Sequence, residues 1–305
     1  MTSRVIQNLE APHGYGMERG GVKVSISVTD HAWPDGVDGL RRIAGIADKG
    51  GLDTIWVPDH LYQADPTSHP QAELFEGVTM LGFLAAITSR ARLGMLVSPV
   101  SFRPPAVQVK AIATLDALTR GRAWFGVGIG WAGDEARAMG IPLGPTKERF
   151  EQLEELLEIA DRMFAGDSSP YQGKHFQLEG PICSPRPERR PPVLIGGTGE
   201  QKTLRLVARH ADACNLFDIP DGGETIRHKL DVLRQHCDGL GRPYDEIEKT
   251  LSTRLTPDDT VATFVERCQQ QAMLGIDHVV VIRTGPWTPE TVEILTAAVP
   301  EVAAL

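Results

Sequence analysis

The sequence predicts a single (β/α)8 barrel with an insertion before its fifth strand, preceded by an irregular N-terminal arm. Eight short strand-like segments each lead into a helical segment. Repeated β–α units with short connections form parallel sheets, and eight such units close a barrel. The length of 305 residues is common for one barrel domain. The predicted arm covers residues 1–21 and the barrel residues 22–305. An open, doubly wound sheet is the alternative.

The first half of the chain follows this alternation. Residues 22–28 alternate polar and apolar side chains, which is typical of a strand. Residues 37–49 carry apolar side chains at helical spacing and end at two glycines. The next predicted strands are residues 54–57, 92–97 and 123–128, and the next predicted helices are residues 80–88, 106–118 and 147–164.

The second half repeats the pattern after one interruption. Residues 165–191 contain a hairpin-like run from Tyr171 to Phe176 and a proline-rich tail. We interpret this stretch as the insertion before the fifth strand. The remaining predicted strands are residues 192–195, 213–216, 250–253 and 278–282, and the remaining predicted helices are residues 201–208, 224–237, 260–274 and 289–298.

Composition excludes several classes of function. The chain has 31 Lys and Arg against 40 Asp and Glu, so it lacks the basic excess that binds a nucleic-acid backbone. We find no apolar run of about 18 residues and no signal-peptide core. The spacing of the histidines and cysteines matches no metal motif. The cysteines are read as reduced thiols. We expect a cytoplasmic protein with a small-molecule substrate, no metal, and no nucleic-acid or membrane partner.

The end of the second predicted strand carries the candidate catalytic residue, His60. Active sites of such barrels lie where strands end and βα loops begin. His60 follows Asp59 directly at this position. An imidazole beside a carboxylate can donate or accept a proton near neutral pH. The alternative is that Asp59 caps a turn and His60 is an ordinary loop residue.

Glycine-rich segments follow the fourth and fifth predicted strands. Glycines let a ligand approach the backbone closely, and free N–H groups can bind a phosphate. The first segment is not a dinucleotide fingerprint, because a tryptophan occupies the third glycine position. A tight turn explains either segment alone, but two together favour a phosphate-bearing cofactor. The candidate cofactor-binding residues here are Gly128, Gly130, Trp131, Gly196, Gly197, Thr198 and Gly199.

The turn after the third predicted strand contains Arg103, followed by two prolines that begin the next helix. An arginine at this position can bind a phosphate or face solvent. Its spacing favours solvent, so we do not include Arg103 in the predicted site.

These residues lie within motifs that identify a family. The matching segments are residues 51–60, 88–105, 114–122, 126–131, 148–150, 192–197 and 208–213. In these segments and their order the chain resembles the bacterial luciferase-like monooxygenase superfamily, and within it the oxidoreductases that use the deazaflavin coenzyme F420. Members that use FMN share several motifs, so an FMN-dependent monooxygenase is the alternative. A flavin-binding barrel without turnover is the alternative from another class.

The resemblance implies a cofactor in the C-terminal mouth of the barrel. Its ring would lie against a non-proline cis peptide in the third strand, which the resemblance places between Met95 and Leu96. Met95, Leu96 and Val97 are therefore candidate cofactor-binding residues. Asp59 would lie near the deazaflavin, and His60 would exchange a proton with the substrate.

The resemblance also has one departure. In the sugar-phosphate dehydrogenase branch a glutamate follows the glycines of the fourth strand, whereas Trp131 stands at that position here. This casts doubt on a sugar-phosphate substrate. Arg283 is a candidate substrate contact, and the family implies a homodimer. The sequence thus predicts hydride transfer between coenzyme F420 and an unidentified organic substrate.

Overall fold

The structure is a computed structural model that describes residues 21–64, 69 and 71–305. The predicted arm therefore lies outside the described residues, apart from Gly21. The described residues form these strands: β1 (Lys23–Ser27), β2 (Thr54–Val57), β3 (Arg92–Met95), β4 (Ser98–Pro99), β5 (Phe125–Gly128), β6 (Tyr171–Gln172), β7 (Gln177–Leu178), β8 (Val193–Gly196), β9 (Ala213–Phe217), β10 (Glu248–Arg254) and β11 (His278–Ile282).

Each predicted helix is present: the first has the predicted bounds, and the others are shifted by a few residues at one or both ends. The helices are α1 (Val37–Lys49), α2 (Gly77–Ile87), α3 (Pro105–Thr119), α4 (Gly133–Ala138), α5 (Thr146–Phe164), α6 (Thr203–His210), α7 (Glu224–Leu240), α8 (Val261–Met273) and α9 (Pro289–Val302). Helix α4 and a 3₁₀ turn at Tyr244–Glu246 are not predicted. Both are too short to show a helical repeat of apolar residues. No helix among the described residues is long and apolar enough to cross a membrane.

The main sheet is parallel and closes into a barrel. Its strand order is β3-β2-β1-β11-β10-β9-β8-β5-β4. Because β3 and β4 belong to one chain segment, the two ends of this order meet. At the seam the Leu93 N–H donates to the Arg122 carbonyl over 2.9 Å, and the Trp124 N–H donates to the Leu93 carbonyl over 2.8 Å. The predicted barrel is confirmed, and the open-sheet alternative is wrong.

The third predicted strand is interrupted rather than continuous. Regular pairing extends through Met95, which lies opposite Val57, and the Leu96 N–H donates to the Val57 carbonyl over 2.9 Å. The non-proline cis peptide is Leu96–Val97. The prediction of Met95–Leu96 is therefore wrong by one bond: Leu96 still pairs with β2, and the cis bond follows it.

Two tryptophans fill the barrel interior. The rings of Trp56 and Trp124 lie 5.5 Å apart and pack with Leu194 and Val280. A Cβ on Gly94 would lie 2.6 Å from the Trp124 Cβ. The glycine in β3 is therefore required for this interior packing.

A buried polar network lies at the N-terminal ends of β1, β10 and β11. Glu248 accepts hydrogen bonds from Lys23 Nζ at 2.8 Å and His278 Nδ1 at 2.6 Å. His278 Nε2 lies 2.7 Å from Ser25 Oγ. Burial by itself raises the pKa of Glu248, but His278 and Lys23 outweigh it and lower the pKa to about 2. Glu248 is therefore an ionised carboxylate at neutral pH.

The predicted insertion forms a hairpin on the outer face of α5. Strands β6 and β7 pair antiparallel, as the sequence predicts. Glu155 of α5 accepts hydrogen bonds from three consecutive backbone N–H groups of the turn, at residues 174–176. One helical turn further on, Glu158 accepts from the Tyr171 hydroxyl at 2.9 Å. The acidic face of α5 thus binds the insertion.

Candidate active site

The candidate catalytic histidine pairs with a carboxylate from another strand exit. His60 follows β2, and its Nδ1 lies 2.7 Å from Oε2 of Glu135 on α4. Glu135 is buried, whereas the His60 side chain remains 21% exposed. Burial by itself raises the pKa of Glu135, but hydrogen bonds from His60 and two backbone N–H groups outweigh it and lower the pKa. An ionised carboxylate only accepts, so Nδ1 carries a proton, and in the neutral ring Nε2 then keeps the lone pair.

Trp131 lies beside His60 at the same mouth. The two rings meet edge to face, with centroids 5.4 Å apart. Trp131 is 72% exposed, which is unusual for a side chain of this size. The structure therefore brings together two predicted site residues from the exits of the second and fourth barrel strands.

Asp59 is engaged elsewhere. It is buried and accepts hydrogen bonds from the Arg103 guanidinium, at 2.9 Å on Oδ1, and from Ser98 Oγ, at 2.5 Å on Oδ2. Arg103 also donates to Glu76, which precedes α2. The expectation that Arg103 faces solvent is wrong, because two carboxylates hold it in the wall of the barrel. Asp59 thus anchors the neighbouring exits, and its contact with a cofactor stays a prediction.

Two of the predicted cofactor glycines pack against the protein itself. A Cβ on Gly128 would lie 2.9 Å from the Val97 side chain, and a Cβ on Gly196 would lie 2.7 Å from it. Leu96 and Val97 are half-buried and pack on the interior cluster of Trp56 and Trp124, whereas Met95 is buried. Packing against Val97 alone therefore explains why both strand exits have glycine at these positions.

The other glycines leave bare backbone at the mouth. Gly130 has φ +73° and Gly197 has φ +112°, conformations that favour glycine. Gly199 is exposed and Thr198 half-buried, and both precede α6. In the segment after β4, the buried Ser101 Oγ has no hydrogen-bond partner among the described residues. Bare backbone and an unsatisfied hydroxyl fit a phosphate-bearing group.

Sequence reasoning missed Glu135, and it placed Arg149 in a matching segment without giving it a role. Arg149 of α5 donates to the Gly130 carbonyl and so holds the exit of the fourth barrel strand. A signal for Glu135 existed, since an acidic residue lies shortly after the glycine-rich exit. The motif that carries the resemblance ends before it, at Trp131. Arg283 donates to the Pro286 carbonyl, and its role as a substrate contact stays a prediction.

Comparison with known families agrees with this geometry. A family profile described as luciferase-like monooxygenase matches residues 19–295. The chain belongs to the luciferase-like monooxygenase family. The predicted resemblance is therefore confirmed. Curated relatives include F420-dependent glucose-6-phosphate dehydrogenases. That of Kineococcus radiotolerans is 30% identical over 241 residues, which cover 78% of this chain and 69% of the relative. That of Microbacterium testaceum is 28% identical over 245 residues, which cover 79% and 70%.

Solved structures share the fold. An F420-dependent secondary alcohol dehydrogenase has a TM-score of 0.81 at 16% identity, covering 93% of this chain and 99% of that one. The coenzyme F420-dependent tetrahydromethanopterin reductase of Methanopyrus kandleri has a TM-score of 0.76 at 17% identity, covering 92% and 99%. A long-chain alkane monooxygenase also has a TM-score of 0.76, at 16% identity, covering 93% and 91%. At these identities the likeness concerns the barrel alone.

Proposed function

We infer that this family member is a coenzyme F420-dependent oxidoreductase that transfers a hydride between the deazaflavin and an organic substrate. The observation that carries this conclusion is the match to curated relatives named F420-dependent glucose-6-phosphate dehydrogenases, at 27–30% identity. Coenzyme F420 is the cofactor. FMN-dependent enzymes remain the rival, since a monooxygenase shares the fold.

The strand exits described above suit this cofactor. The backbone of Gly130 and of residues 197–199 would hold its phosphate, together with the Ser101 hydroxyl, which has no partner in the part of the chain that the structure describes. The segment Leu96–Val97, between the interior tryptophans and the mouth, would support the ring. When bound, coenzyme F420 supplies a ring carbon that accepts or releases a hydride.

His60 supplies the proton transfer in this proposal. In the direction of alcohol oxidation, the substrate carbon loses a hydride and its hydroxyl loses a proton, which leaves a carbonyl. The lone pair of His60 Nε2 accepts that proton, and in the reverse direction the same atom returns it. The exposed ring of Trp131 lies beside His60 and would contact the substrate and exclude water.

The substrate class follows from this proton transfer. A histidine that exchanges one proton suits an alcohol–carbonyl pair, which agrees with the dehydrogenase names of the relatives. Trp131 occupies the position of the glutamate in the sugar-phosphate branch, so glucose 6-phosphate is a substrate to test rather than to assume.

A homodimer in the cytoplasm is also part of this proposal. Helix α2 contains no charged residue, and α3 contains only Lys110 and Asp116. On the outside of α3, Val107 is 55% and Leu118 69% exposed. Such a face is typical of a subunit interface, and sedimentation velocity measures whether two copies associate. The four cysteines are free thiols, as is usual in the cytoplasm.

Equilibrium binding tests the cofactor. Purified protein is titrated with coenzyme F420 and with FMN, each oxidised and reduced, in one buffer. We expect micromolar or tighter binding of coenzyme F420, about −8 kcal/mol, and FMN at least about tenfold weaker. Tight FMN binding without measurable F420 affinity would favour the monooxygenase. Tight F420 binding without reduction by any alcohol would favour a barrel that binds without turnover.

A further inference from the structure

We propose that Glu135 is the positioning residue of this site: it fixes the tautomer of His60 so that Nε2, and not Nδ1, exchanges the proton with the substrate. The proposal rests on the function proposed above. Sequence reasoning placed no role on this residue, and the family resemblance pointed to position 131 instead.

Glu135 joins two exits of the barrel that are not neighbours in the sheet. It belongs to α4, which follows β5, and it contacts the segment after β2, whereas β3 and β4 lie between them. One carboxylate oxygen lies 2.7 Å from His60 Nδ1. The other accepts from the backbone N–H groups of Leu61 and Tyr62. Because Glu135 is buried, water competes little for its two oxygens.

The positions of the hydrogen-bond donors require a carboxylate at residue 135. Both oxygens must accept, one from the ring and one from the backbone, and only a carboxylate has two acceptor oxygens. An amide has a single oxygen. In Glu135→Gln we expect this oxygen to turn toward the two backbone N–H groups, with the NH2 group facing Nδ1. The ring would then carry its proton on Nε2, which can no longer accept one.

A purely structural role is the alternative, in which Glu135 only holds the loop after β2. Glu135→Gln separates the two roles because the amide keeps the shape and can still bind the loop. Asp134→Asn is the matched control. It also removes a carboxylate from α4, but the Asp134 side chain is 91% exposed and pairs with Arg137 at the surface.

The first measurement is spectroscopic and does not depend on the cofactor. Long-range ¹H–¹⁵N spectra of the full chain with ring-labelled histidine are recorded at rising pH, and the tautomer is determined where the His60 signals no longer change with pH and the ring is neutral. The His60 signals are assigned by their loss in His60→Gln. We expect the proton on Nδ1 in the wild type and Asp134→Asn, and on Nε2 in Glu135→Gln. A wild-type ring protonated on Nε2 overturns the proposal, even if Glu135→Gln does not fold. An unchanged tautomer in Glu135→Gln overturns it as well.

The second measurement is turnover with coenzyme F420, using 2-propanol and glucose 6-phosphate as probes. We expect Glu135→Gln to lower kcat by about a hundredfold or more, as a wrong tautomer does in other histidine sites, with KM and F420 affinity within about threefold. Equal kcat in Glu135→Gln and Asp134→Asn would overturn the positioning role. Failure of the wild type to bind coenzyme F420 would instead refute the proposed function, and the spectra would still decide the role of Glu135.

Discussion

Gly196→Ala tests whether the glycines of the strand exits serve packing or a ligand. A Cβ at this position would lie 2.7 Å and 2.9 Å from the two methyl carbons of Val97, whereas ordinary contact begins at 3.4 Å. Gly196 does not have a positive φ, so alanine suits its backbone. The clash must therefore be relieved by moving Val97 or β8. Such overpacking costs about 1–3 kcal/mol of unfolding free energy.

Substitution of Val97, the residue that the new Cβ would meet, tests the same contact from the other side. Val97→Ala alone should cost about 1 kcal/mol, since it removes two methyl groups from a half-buried side chain. In the double variant the added methyl group of Gly196→Ala occupies the space that Val97 vacates. We expect the double variant to be about 1–2 kcal/mol more stable than the sum of the single effects predicts.

Urea unfolding followed by circular dichroism measures these effects. The control is Gly45→Ala in α1, where an added Cβ meets nothing within 4 Å and should stabilise the protein by up to about 1 kcal/mol. Additivity of the two substitutions within about 0.5 kcal/mol would refute the packing explanation. If Gly196→Ala loses affinity for F420 and the double variant with Val97→Ala does not regain it, Gly196 serves the ligand.

Two further predictions concern titrating groups. His60→Ala should lower turnover by about a hundredfold while leaving F420 affinity nearly intact; a variant with near-wild-type turnover would remove His60 from the mechanism. The folded pKa of Glu248, about 2, lies below its ordinary value of 4.5. Its contribution to stability is therefore complete above pH 4.5 and is lost as the pH falls toward 2. Glu248→Gln should lower the free energy of unfolding by about 3 kcal/mol at neutral pH. It should also weaken the loss of stability between pH 4.5 and 2, which thermal unfolding across a pH series measures. The same loss in the variant and the wild type would contradict this account.

The barrel was predictable because its signal is repeated along the chain. Buried parallel strands are short and apolar, and helices such as α5 carry one apolar face, so each unit can be recognised without its neighbours. The cis peptide was located only to within one bond. Its position depends on how far β3 pairs with β2, which is a property of two segments together.

The shared location of His60 and Trp131 at one mouth of the barrel was predictable, because each lies shortly after the end of its strand. Glu135 was missed because its role depends on a partner 75 residues away, and α4 is too short to be noticed. The glycines show a different limit. A glycine can make room either for a ligand or for a neighbouring side chain such as Val97. The sequence shows the glycine but does not distinguish these two reasons for it.

The attachment of the hairpin has a consequence for how this insertion can vary. Glu155 binds main-chain N–H groups of the turn rather than its side chains. The contacts to Glu155 therefore do not depend on which side chains occupy positions 174–176. Gly173 is different, because a Cβ there would lie 2.2 Å from the Glu155 carboxylate. Within the turn, the main-chain anchor thus restricts only position 173 by shape, whereas Tyr171 fixes the hairpin to α5 through its own hydroxyl.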